Sequence, residues 1–187
     1  MQASLSSRAR RLAFLLPLVA VAFAAAAGVD AVVDDRSPDA PTGGTDSTEG
    51  RVPDPLGEGP PWSVVVFRSR DGRTCTAVGR NVRGRVGAIN DGEFHEYPIH
   101  EGASCMDLTK IPAGATVGSG AEPHVRTTVH GLAGPDVERI VLTTPEGTRD
   151  LPIVRRGAFL AVLEPSVEIP DVEVVAILKS GRELKLL

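Results

Sequence analysis

The sequence is short of the residues and patterns from which catalytic centres are built. Its 187 residues include two cysteines and four histidines. A G-x-S-x-G nucleophile elbow is absent, and Gly118-Ser119-Gly120 reads as a flexible loop, not a strained strand-to-helix turn. Also missing are H-E-x-x-H for zinc hydrolysis, D-x-D-x-D-G for calcium and a P-loop for phosphate. The chain has no N-x-[ST] sequon and no C-terminal sorting motif. Beyond the N-terminal run described next, no window of about eleven residues has convincing helical periodicity, which argues against a helical domain.

What the chain has in abundance, it has at one end. Arg8, Arg10 and Arg11 are the only charges before Asp30, and every residue from Leu12 to Val29 is apolar, Gly or Pro. A positive head followed by such a run is the form of an export signal, with the positive end retained inside. Residues 1–33 are therefore expected to be a signal sequence or signal anchor. Small residues at Ala24, Ala25, Ala26, Ala27 and Gly28 suit cleavage near Ala27 and a secreted product. The length of the run approaches that of a bilayer span, which suits a retained single-pass anchor with the C-terminal part outside. Retention is the favoured reading. A lipoprotein anchor is excluded, because no cysteine stands near the end of the run.

Residues 34–61 contain six Pro and five Gly in 28 positions and almost nothing apolar. Such composition cannot bury enough surface to offset the entropy of ordering, so a disordered acidic linker is expected over 34–61. The charge divides unevenly. The chain carries −4 overall, residues 1–27 carry +3, and residues 28–61 carry −6 from eight acids and two arginines. That leaves 16 acids and 15 bases, or −1, from residue 62 onward. A domain so balanced exerts no general pull on nucleic acid or anionic lipid, and nucleic-acid binding is not expected.

Residues 62–187 have the size of one domain. Short apolar runs recur at 62–69, 73–82, 85–90, 93–99, 124–132, 137–144, 148–154, 158–164, 172–179 and 182–187, punctuated by turn residues such as Asp91-Gly92 and Pro145-Glu146-Gly147. Evenly spaced strands predict an all-β sandwich or barrel of about nine strands. Within 124–130, Val125, Thr127 and Val129 are expected to face the core, with His124, Arg126, Thr128 and His130 facing solvent. The runs 159–163 and 172–179 are apolar on both faces, as in central strands. Trp62, the only Trp, is expected to anchor a core or its rim. Residues 167–171 read as a Pro-broken connector.

The opening W-S-V-V-V-F-R-S-R-D-G-R-T-C-x-x-x-G, from Trp62, resembles the start of exported, membrane-tethered domains from high-GC actinobacteria. The later V-H-G-L-A-G-P-D-V-E-R-I-V-L-T-T-P-E-G-T and G-A-F-L-A-V-L are similar to their paired hairpins. The resemblance covers most of residues 62–164. It implies an Ig-like β-sandwich outside the cytoplasm and carries no active site to transfer.

Cys75 and Cys105 form an even pair, which outside the membrane reads as a disulfide. His95 and His100 lie between them beside Glu96 and Glu101, so a two-Cys, two-His zinc site is conceivable, although no short ligand spacing supports it. Glu93 and Glu96 read as a solvated loop, not as a general acid and base. The sequence thus points to a non-catalytic extracytoplasmic module with no cofactor and no metal, binding a cell-envelope protein or glycan. The polar face at 124–130 and the loop at 80–85 are the surfaces to inspect. The alternative is a small enzyme of unrecognised type using His95, His100 and nearby carboxylates. A sensor with its own cytoplasmic domain is disfavoured, because only 11 residues precede the apolar run.

Overall fold

The computed structural model describes residues 47–96, 98, 102–120 and 126–187. The expected signal segment, residues 34–46, His100, Glu101, His124 and Val125 lie outside the described residues. No helix among the described residues is long and apolar enough to cross a membrane. What is described is all-β and antiparallel, with two 3-10 turns at Arg155–Gly157 and Ile169–Asp171.

Thirteen strands are present among the described residues, in place of about nine. The first sheet contains β1 (Ser47–Val52), β2 (Trp62–Arg68), β3 (Thr74–Val82), β4 (Arg85–Asn90) and β5 (Glu93–Glu96) in that order, with β6 (Ser104–Met106) on the other end of β3. The second has the order β11 (Ala158–Leu163), β8 (Arg126–Ala133), β7 (Ala113–Gly120). The third has the order β10 (Gly147–Leu151), β9 (Val137–Thr144), β12 (Glu173–Leu178), β13 (Glu183–Lys185). Asp91 and Gly92 close the β4–β5 hairpin with φ of 51° and 81°. Two successive positive φ values are the mark of a type I′ turn, whose twist matches that of the flanking strands.

The β11–β8–β7 sheet lies between two cores. On β11, Ala158, Leu160 and Val162 pack with Trp62, Val64 and Val66 of β2. The intervening Phe159, Ala161 and Leu163 pack with Ile140 and Leu142 of β9 and Val174 and Ala176 of β12. Period-two alternation of a strand buried on both sides sends successive side chains into different cores. All six residues of β11 are buried although it is the edge strand of its sheet, because each of its faces packs in a core. On β12, by contrast, only Val174, Ala176 and Leu178 are buried, and the opposite face is partly open.

Two sequence expectations fail for a shared reason. Residues 47–61 are not disordered linker. Antiparallel β1 pairs with β2, and Asp54 is buried. Arg126, Thr128 and His130 do not face solvent, because the first sheet covers that side of β8, and all eight residues of β8 are buried. Alternation reports that a strand has two different faces, but not whether the polar one meets water or another layer.

Close approach of β7, β8 and β11 requires Gly131. A Cβ there would stand 2.1 Å from the Gly114 carbonyl oxygen and 2.5 Å from the Phe159 ring. At the far side of the first sheet, Cys75 and Cys105 are directly opposed on β3 and β6, with their sulfurs at disulfide distance, 1.96 Å.

Candidate binding cleft

The cysteines are spent on each other, which removes both thiolates from the conceivable zinc site. His95 is exposed on β5. Glu96 is likewise exposed and meets Arg85 across the hairpin at 3.3 Å. Among the described residues no group of three or more His, Cys, Asp and Glu side chains is placed to hold a metal ion. Of the loop at 80–85, Arg80 and Asn81 are buried, and only Arg83 to Arg85 are exposed. The surfaces suggested by sequence are therefore mostly interior.

A cleft of about 400 Å³ opens elsewhere, on the side where three sheets end together. There β1, β11 and β10 are each the last strand of their sheet. Arg51, Val52, Pro53 and Pro55 form one wall, and Arg149 to Pro152 form the other. The floor is the edge of β11 at Leu160, Ala161 and Val162.

The backbone of that floor faces outward. Val154 N–H donates to the Ala158 carbonyl at 2.8 Å, so this carbonyl points away from β8. In an antiparallel ladder, alternate residues turn both polar groups to the same side. The N–H and C=O groups of Leu160 and Val162 therefore also point away from β8, and both residues are buried, at 5 % exposed each.

The wall carrying Pro53 and Pro55 is held from behind by the residue between them. Asp54 Oδ2 accepts from Arg126 Nε at 3.1 Å and from Trp62 Nε1 at 3.2 Å, and it meets Arg80 Nη2 at 2.9 Å. Asp54 Oδ1 accepts from Arg126 Nη2 at 2.9 Å and from the Leu56 amide at 3.0 Å. Burial alone would raise the Asp54 carboxyl, but the hydrogen bonds from Arg126, Trp62 and the Leu56 and Glu58 amides outweigh it. They hold the group well below the usual carboxylate range. Arg126 also donates to Glu58 at 3.0 Å, and Arg80 lies over the Trp62 ring, 4.4 Å from its centroid. Trp62 is thus the core anchor expected, with its polar edge satisfied.

No family model, no curated protein and no solved structure matches the chain.

The cleft residues were not visible as a site in the sequence. Asp54 sits in a Pro-Asp-Pro triplet inside a Pro/Gly-rich acidic stretch, and such composition masks a single ordered acid. The one available signal was that triplet, because two flanking prolines fix the backbone on either side of a carboxylate. Arg51 and Arg149 lie almost a hundred positions apart and meet only through the stacking of the sheets.

Proposed function

We propose that this chain is a non-catalytic binding module working outside the cytoplasm, and that the cleft along β11 is its binding site. The observation that carries the reading is the cleft itself, about 400 Å³ between two walls that each bear an exposed arginine. Ligand sites are typically concave and mostly apolar with a few placed polar groups, and this cleft has that composition. Among the described residues no carboxylate pair or histidine lines it, and the acid that does, Asp150, meets Arg139 at 3.3 Å.

The seven strands from β7 to β13 are proposed to be an Ig-like sandwich. In chain order they make one sheet of the first, second and fifth strands and another of the third, fourth, sixth and seventh. The β1–β6 sheet is an addition on the outer face of the smaller sheet. Residues 1–33 are proposed to act as a retained anchor, in keeping with their basic head and apolar run.

The test places a photo-crosslinking side chain at Pro55 or Pro152 of the full chain in its native host, with Glu183, exposed on β13, as the control position. Intact mass and fractionation are read from the same cells. The expected result is a full-length product in the membrane fraction and one adduct shared by positions 55 and 152 but not 183. Equal labelling from all three positions, or a cytoplasmic product, would refute the reading.

A further inference from the structure

We propose that the end of the domain at which β1 begins is a second binding surface, and that it lies against the anionic headgroups of a phospholipid bilayer. The surface is separate from the cleft. It rests on the retained anchor proposed for residues 1–33, which would bring the bilayer within reach.

A net charge near zero conceals a separation of charge along the strands. The β2–β3, β6–β7, β8–β9, β10–β11 and β12–β13 connections close at one end. Main-chain and side-chain contacts run from one to the next. Arg156 Nη1 donates to the Val66 carbonyl at 3.3 Å, Ala158 opposes Leu132, and the Lys179 amide donates to the Asp136 carbonyl at 2.9 Å. Two acids at this end meet bases, Asp71 with Arg73 and Asp107 with Lys110. Apart from these pairs the five connections carry Arg68, Arg70, Arg155, Arg156, Lys179 and Arg182 against Asp136, a net of +5, and all seven are exposed. At the opposite end the β9–β10 and β11–β12 connections carry Glu146, Glu164, Glu168 and Asp171, all exposed, and no base.

The arrangement selects a bilayer over a small anion. The six cations belong to turns of three different sheets and none lines the cleft, so they meet a plane of many phosphates better than one ligand. Guanidinium groups match phosphate oxygens, and a cation near an anionic surface gains from its field. The acidic end is repelled by that same field, which fixes which end faces the lipid. The chain also enters the domain here: Ser47 opposes Val66, two residues before Arg68. The stretch leading back to residues 1–33 therefore sets out from the basic end. Residues 34–46 hold four acids and one base, or −3, which is too little to cancel the +5 beside it.

The test uses the full chain in vesicles of phosphatidylcholine alone or with one part in three phosphatidylglycerol. A fluorescent side chain is placed at Ser180 in the basic end or at Glu168 in the acidic end, and a headgroup-bound quencher reads proximity. Phosphatidylglycerol is expected to raise quenching at Ser180 and not at Glu168, and high salt should reverse it. Arg155→Glu, Lys179→Glu and Arg182→Glu should each lower the docked-to-undocked ratio by at least about fivefold, and Asp136→Asn should raise it by a similar factor. Quenching at Ser180 that is equal in both lipids, or matched at Glu168, would overturn the proposal. Quenching that needs no phosphatidylglycerol and is lost in Asp34→Asn, Asp35→Asn, Asp39→Asn would overturn it in favour of the chain's own acidic stretch. Flotation with phosphatidylglycerol vesicles only would refute the retained anchor while supporting the surface.

Discussion

Asp54 and Arg126, 72 positions apart, form a two-pronged ion pair with N–O distances of 3.1 and 2.9 Å, and neither side chain is appreciably exposed. The pair joins a segment of linker-like composition to the middle strand of the fold. Removing one partner of a buried pair leaves the other charged and dry. Here two cations, Arg80 and Arg126, would be left. Asp54→Ala is therefore expected to cost about 3–5 kcal/mol in urea unfolding. The carboxyl is held below its ordinary value, so its contribution is complete above pH 4 or so. It is lost as the pH falls from there through the folded value, and the variant should lack that part of the acid limb.

His130 is 5 % exposed, and neither ring nitrogen has a partner among the described residues. Burial pushes its pKa down from 6.5 to about 4. The unfolded chain thus takes up a proton on this ring at a higher pH than the folded one does. Stability is unaffected above about pH 7 and falls as the pH drops from 6.5 towards 4, by about 3 kcal/mol in all. His130→Leu should flatten the stability profile across that window and unfold at higher urea than the parent at pH 5. A parallel pH dependence in the variant would show that other groups carry it.

Cys75 and Cys105 close a loop with a sequence separation of 30. In the chain-entropy picture such a loop is worth about 3–4 kcal/mol. The double variant Cys75→Ser, Cys105→Ser should lower the unfolding midpoint accordingly. Parent protein should take up alkylating label only after reduction, and labelling without reductant would contradict the bond.

At Gly131 a methyl group has nowhere to go, since backbone of β7 and the ring of Phe159 occupy its space. Gly131→Ala is expected to destabilise by about 1–3 kcal/mol or more, because overpacking shifts whole strands. Gly92→Ala meets no neighbour and tests a different cost, that of a positive φ alone. It should lose about 1–2 kcal/mol.

Local signals carried much of the strand map. The runs at 62–69, 73–82, 85–90, 137–144 and 158–164 each contain a strand, and Asp91-Gly92 made its hairpin. What failed needed information from far along the chain. β1 has the sequence S-T-E-G-R-V, which nothing apolar marks as a strand. It exists because β2 offers it a ladder and Arg126 holds the residue that follows. β7, A-G-A-T-V-G-S-G, looks like a flexible loop until β8 lies beside it. Arg126 and His130 read as surface for the same reason: their cover is a sheet built from residues sixty positions earlier. The disulfide was legible because an even cysteine pair behind an expected export signal suffices to suggest it. The cleft was not, because its walls come from three sheets.

β11 gives this domain an unusual genetics. Phe159 and Leu160 are adjacent in the chain yet belong to separate interiors. A lesion at an odd-numbered position of β11 should find its second-site suppressors across the third sheet, near Ile140 or Val174. One at an even-numbered position should find them near Trp62 or Val64. Parity of residue number, more than distance along the chain, would then sort which substitutions in this protein can compensate one another.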